Sequence, residues 1–152
     1  MNKAEQKISQ TLLNKILANH AILLMQTLNY HWNLVGPEFH DYHLLFDKQY
    51  KDLFEDLDEI AERVRAVGGI AHGSFKHMLA DATIKEDLNV PKPKDMIKNI
   101  LEQYELLIEQ IRATIKTLES KTDDFGSINF LEELITHHEK TAWMLRSLTG
   151  KV

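Results

Sequence analysis

The sequence predicts an all-α fold: four long helices in a bundle, with a short extra helix in the connection between the second and third. Three observations carry this. Apolar residues recur at three- and four-residue spacing along four long stretches. Only three prolines and six glycines occur, so long uninterrupted elements are expected. The middle connection, Ile70 to Pro93, is long enough to cross a bundle.

The first helix carries Ile8, Leu12, Leu13, Ile16, Leu17, Leu24 and Leu28 on one face and stops near "LVGP", at Gly36 and Pro37. The second runs from about Glu38 to Val67, with a stripe of Leu45, Phe46, Tyr50, Leu53, Leu57, Ile60 and Val64. Gly68 and Gly69 supply its C-terminal stop. "GSFKHMLADAT" forms the short helix, capped by Ser74, and "NVPKP" is an extended lead-in. The third long helix runs from about Lys94 to Ser120 through Met96, Ile100, Tyr104, Leu107, Ile108, Ile111 and Leu118. "KTDDFGS" reads as a turn, and the fourth helix runs from about Ile128 to Leu148.

Length and composition fit one domain over residues 1–152 with an ordinary globular balance of 43% apolar and 27% charged residues. The net charge of -5, without a dense Lys/Arg block, argues against a nucleic-acid surface. The absence of cysteine excludes disulfides and thiolate metal sites. "MNKAEQKISQ" lacks the apolar core of a signal peptide, and the longest apolar run, Ala21 to Met25, is too short to span a bilayer. The expected location is the cytoplasm, with no membrane partner.

The second helix concentrates metal-capable side chains. At about 100° per residue, with His43 at zero, Asp47 falls near 40°, Asp58 near 60° and Glu62 near 100°. All four share one side, bordering the apolar stripe, as two i,i+4 pairs. Fifteen residues separate His43 from Asp58, about 22 Å along the axis. Ligands bind a transition metal at about 2 Å, so one straight helix cannot bring both pairs to one ion. Either the pairs serve separate purposes, or an antiparallel copy related by a two-fold axis supplies the far pair. His31 lies on the buried side of the first helix, and a hairpin sets it near His43. Histidines with carboxylates suit iron or zinc.

Taken singly, each of these residues reads more readily as a hydrogen-bonded core histidine or a solvated acid; together they make a site. Asp41, Asp52, Glu55, Asp56 and Glu59 read as surface. His20, His40, His72, His77, His137 and His138 read as surface or structural, and His137 and His138 do not chelate together because they point apart. Bundles with an internal di-iron site use Glu-x-x-His on two helices, and the third and fourth helices here offer none.

"HWNLVGPEFHDYHLLFDKQYKDLFEDLDEIAERVRAVGG", from His31 to Gly69, resembles the signature of the Dps family, the mini-ferritins named as DNA-binding proteins from starved cells. The likeness extends over nearly the whole chain, including the short helix and "AWMLRS" in the last one. The resemblance implies a ferritin-like subunit of a hollow dodecamer that oxidises Fe(II), usually with hydrogen peroxide, and stores ferric mineral, protecting the cell from oxidative stress. It implies His31, His43 and Asp47 as ligands from one subunit and Asp58 and Glu62 as those from its two-fold partner. Iron (Fe2+/Fe3+) is the implied metal, with zinc as a substitute. Trp32 matches a tryptophan beside the site, where electron relay and core packing are both open roles. Asp123 and Asp124 are the candidates for the family's pore, although Asn129 stands where a pore aspartate is expected. The N-terminal segment carries only Lys3 and Lys7, with Glu5 between them, so direct DNA binding is expected to be weak or absent. The competing functions are a DNA-compacting nucleoid protein and a structural bundle without chemistry.

Overall fold

The computed structural model describes residues 1–150; the last two positions of the expected 1–152 span lie outside the described residues. The elements are α1 (Lys3–Asn33), α2 (Phe39–Ala66), the short α3 (Phe75–Asp81), α4 (Pro93–Lys121) and α5 (Phe125–Leu148). No strand occurs among the described residues. α1 packs on α2, α4 packs on α5, and α1 also packs on α4 and α3. Two hairpins thus form a four-helix bundle, and the α2–α4 connection crosses it, as in ferritin-like folds.

Local chemistry sets the helix ends. Asn2 Oδ1 accepts from the backbone N–H groups of Ala4 and Glu5, and the Glu5 carboxylate accepts from the Asn2 N–H, a reciprocal capping box. At the end of α2, Gly68 takes a φ of +79°. Its N–H donates to Arg65 O, and that of Gly69 donates to Val64 O, satisfying carbonyls the helix leaves free. A Cβ on Gly69 would lie 2.6 Å from Gln10 Cγ, so this glycine also admits α1. Pro93 opens α4 at a position where its missing N–H costs nothing.

α5 begins three residues earlier than the sequence suggests. Asp124 accepts from the Ser127 N–H and caps it, so "FGS" is the first helical turn and not part of the loop. Arg63 of α2 donates to both Asp124 and Ser127 and ties this end of α5 down.

Phe46, Leu53, Ile60 and Val64 of α2 are fully buried against Tyr104, Leu107 and Ile111 of α4 and Leu131 and Leu145 of α5 in one core. α1 differs from the other long helices: from Leu13 to Thr27 every residue but Lys15 and Met25 is buried, so this stretch runs through the interior. Most of its buried polar groups therefore have assigned partners, Gln26 Nε2 being an exception. Asn19 donates to Thr83 Oγ1 and Gln110 Oε1 and accepts from the Thr83 and Ile84 N–H groups. Tyr30 donates to Asp87, and Gln26 accepts from the Asp87 N–H. These bonds fasten the crossing connection to the bundle.

Candidate metal centre

The α1–α2 hairpin brings His31 and His43 together, as the spacing predicts. Their rings stack with centroids 3.9 Å apart and planes within 14°. His31 Nδ1 donates to His43 O at 3.0 Å, and His43 Nδ1 donates to His31 O at 2.9 Å. A carbonyl only accepts, so Nδ1 carries the proton on both rings. In the neutral form each Nε2 then presents a lone pair. Backbone anchoring of this kind fixes tautomer and ring orientation for a ligand. His31 is buried and His43 half-buried. Two aromatic neighbours were not among the sequence candidates: Phe39 stacks on His43 at 4.8 Å, and the Tyr50 ring lies 5.2 Å from that of His31.

Asp47 follows one turn after His43, but its carboxylate is engaged. It accepts from Lys51 Nζ at 2.6 Å and Tyr50 Oη at 3.2 Å. The Lys51 hydrogen bond is the main cause holding its pKa below the ordinary carboxylate value. The His31, His43 and Asp47 donor atoms do not converge within 4.8 Å in the single chain. Asp58 and Glu62 stand exposed toward the other end of α2, with no hydrogen bond or ion pair among the described residues. The chain thus brings two histidines together, keeps Asp47 one turn away, and leaves the second carboxylate pair facing outward.

The one group of three His, Asp or Glu donors that does converge among the described residues is His20, Asp56 and His138. The surface-or-structural reading of His20 and His138 resolves to structural, since both are buried. The surface reading of Asp56 is corrected: it is half-buried. Burial, then the Glu59, Asp52 and Glu55 carboxylates, pushes its pKa up to about 7. Asp41, Asp52, Glu55 and Glu59 are exposed as expected.

A family model described as a ferritin-like domain matches residues 10–152. An uncharacterized low temperature-induced protein from Nostoc is 42% identical over 137 residues, which cover 90% of this chain and 76% of that one. The DNA protection during starvation protein 2 of Bacillus anthracis is 31% identical over 91% of this chain and 94% of its own. The Dps protein of Vibrio cholerae O1, described as a member of a broad superfamily of ferritin-like diiron-carboxylate proteins, matches with a TM-score of 0.92 at 30% identity. That match covers 97% of this chain and 92% of that chain.

The chain belongs to the Dps family of ferritin-like proteins. Two residues placed by resemblance to Dps meet different surroundings. Trp32 is 62% exposed, so it packs no core in the single subunit. Asp124, a pore candidate, is buried and committed to capping α5 and to Arg63. Burial works to raise its pKa, but the bonds from Ser127 and Arg63 are among those that hold it below the usual carboxylate value. Asp123, its neighbour, is exposed. No helix is long and apolar enough to cross a membrane among the described residues.

Proposed function

We propose that this chain is a single-domain ferroxidase and iron-storage subunit, working as a two-fold-paired member of a Dps dodecamer in the cytoplasm. The observation that carries this reading is the His31–His43 pair, whose Nδ1 protons are both tied to backbone carbonyls. Two Nε2 lone pairs are thereby ready for Fe(II), with Asp47 one turn away. Asp58 and Glu62, unpartnered and too far along α2 to reach the same ion, are the ligands given to the partner's site.

The division of donors suits the reaction. Neutral imidazoles hold Fe(II), and the carboxylates favour Fe(III) as it forms. Hydrogen peroxide takes one electron from each of two ferrous ions and its O–O bond breaks to give two hydroxides. No hydroxyl radical need leave. Acid opposes binding because a protonated imidazole cannot ligate. Exposed Trp32 beside His31 is positioned to intercept oxidising equivalents at the subunit surface.

The test is Fe(II) oxidation by the purified assembly, followed by absorbance, with hydrogen peroxide and then with air alone. The expected outcome is fast peroxide-driven oxidation that ends in a soluble ferric protein. A rate no higher than that of the protein-free control would overturn the reading. A DNA-protecting role is the second reading, favoured by the name of the Bacillus anthracis relative. Lys3 and Lys7 here sit in the first turns of α1, and the net charge is -5, so no DNA shift is expected in a low-salt gel.

A further inference from the structure

The bundle interior holds a second set of donors, drawn from three helices. His20 of α1, Asp56 of α2 and His138 of α5 each offer one ligand atom, and the three atoms lie within 4.8 Å of one another. The two imidazoles meet Nε2 to Nε2 at 2.8 Å. His20 Nδ1 donates to Ile16 O at 2.9 Å, so its Nε2 presents a lone pair toward His138. Asp56 makes no hydrogen bond among the described residues, and the Glu59, Asp52 and Glu55 carboxylates lie near enough to act on it.

We propose that His20, Asp56 and His138 form a second metal site, contained within one subunit, for a single divalent transition-metal ion of the Zn(II) or Fe(II) class. Two imidazoles and one carboxylate are a donor set of mononuclear iron and zinc centres. Metal–ligand bonds of about 2.1 Å place two donors about 3 Å apart at right angles and about 3.4 Å apart at the tetrahedral angle, so the two nitrogens separate by a few tenths of an ångström to admit the ion. Asp56 lies within the reach of a side-chain rotation.

The charge arrangement favours a cation. A half-buried carboxyl among Asp52, Glu55 and Glu59 is costly to ionise alone, and a divalent ion removes that cost. The same acids, together with Lys48 and Lys140, line a surface groove of about 410 Å³ that reaches Asp56 and His138 and gives the ion a route in. His20 binds without losing a proton, because its Nδ1 hydrogen stays on Ile16 O and its Nε2 already carries a lone pair. His138 moves its proton from Nε2 to Nδ1, and Asp56 releases one where it is protonated.

The stoichiometry follows from the donor count. Two-ion centres in four-helix bundles draw on four carboxylates and two histidines. Here there is one carboxylate, and α4 contributes Tyr104, whose ring packs edge-on to His138 at 5.4 Å. One ion is what the set can hold. The competing account is a core histidine pair complete in its own hydrogen bond, with Asp56 a bystander.

Equilibrium dialysis of the assembled protein against Zn(II), with elemental analysis of bound metal, separates the two. It is run on the native chain and on an Asp58→Ala, Glu62→Ala background that disables the interface ligands. His138→Gln and Asp56→Asn should each weaken one zinc per chain by at least about tenfold, in both backgrounds. Circular dichroism reports whether each variant is folded. Should His138→Gln fail to fold, Asp56→Asn decides alone, because no bond of the fold depends on that carboxylate. Unchanged zinc content in folded Asp56→Asn protein would overturn the site. The readout is bound metal, so it stands whether or not the interface ligands oxidise iron.

Discussion

The two histidine pairs of this molecule are fastened in opposite ways. At the α1–α2 hairpin, each ring ties its Nδ1 to the other residue's carbonyl, the rings stack, and both Nε2 atoms are spare. In the bundle, only His20 is anchored to backbone, and the two Nε2 atoms face each other across one proton. The first pair is open, and in the proposed function it is half of a site that further donors complete. The second is a closed unit that an ion must open. Backbone anchoring makes a ligand ready without its metal; ring-to-ring bonding makes a ligand pair self-sufficient until the metal arrives.

The sharpest break between them concerns subunit ownership. If, as proposed, the hairpin site is completed by Asp58 and Glu62 of another copy, the two halves should complement in trans. Shells built only from His31→Ala, His43→Ala chains, or only from Asp58→Ala, Glu62→Ala chains, should oxidise Fe(II) at least about 100-fold more slowly, since even outer-shell losses cost 10–100-fold. Shells reassembled from an equal mixture should regain about a quarter of the native sites. The reason is that half of all pairings are mixed and each mixed pairing holds one intact site of two. No recovery in mixed shells of native size would show that the donors serve separate purposes.

The His31–His43 pairing and the shared face of the α2 acids were legible in the sequence because α2 is amphipathic. Its 3.6-residue period fixes which acids share a face, and the Gly36-Pro37 break fixes where His31 returns. The bundle cluster was not legible. His20 and His138 are 118 residues apart and meet only through the packing of α1 on the rest of the bundle. A signal was present nonetheless: "ILANHAILLM" is apolar almost throughout, which marks a helix buried on every side, where a histidine must find a partner. The start of α5 was missed for a local reason, since Phe125-Gly126 reads as a turn until Asp124 is seen to cap the helix. Spacing alone also could not show that Asp47 is held by Lys51.

Acid should separate the pairs next. In metal-free protein His20 has its pKa lowered from 6.5 to about 4, chiefly by burial, and His138 shifts the same way. The unfolded chain therefore binds more protons between pH 6.5 and about 4, and folding stability falls as pH drops through that window. The loss from His20 is about 3 kcal/mol. Asp56 works against it, because a folded pKa of about 7 lets the folded state hold a proton that the unfolded carboxyl gives up. Tyr104, the group facing the pair from α4, stays protonated throughout, its pKa raised by burial. Urea unfolding should thus show a modest acid loss in the native chain and the full loss in Asp56→Asn, where the opposing carboxyl is gone. Equal slopes in the two proteins would mean that Asp56 does not sense the histidine pair's surroundings.

The smallest effect distinguishes the two carboxylates. Asp47 at the hairpin is paired with an exposed lysine at 2.6 Å, whereas Asp56 in the bundle has no ion pair among the described residues and lies by the two imidazoles. A metal at the hairpin must therefore compete with Lys51 for Asp47. Lys51→Met keeps most of the side-chain stem and removes the competing charge, so the Asp47 carboxyl should rise toward its ordinary pKa and become available. An exposed pair of this kind is weak and screened by salt, so the gain in Zn(II) affinity should be no more than about fivefold and should shrink at high ionic strength. The Asp56 cluster should not respond, because Lys51 does not line its groove. A loss of affinity in Lys51→Met would show instead that the lysine holds Asp47 in position for the metal, and that the hairpin half-site is preorganised by three residues and not by its histidines alone.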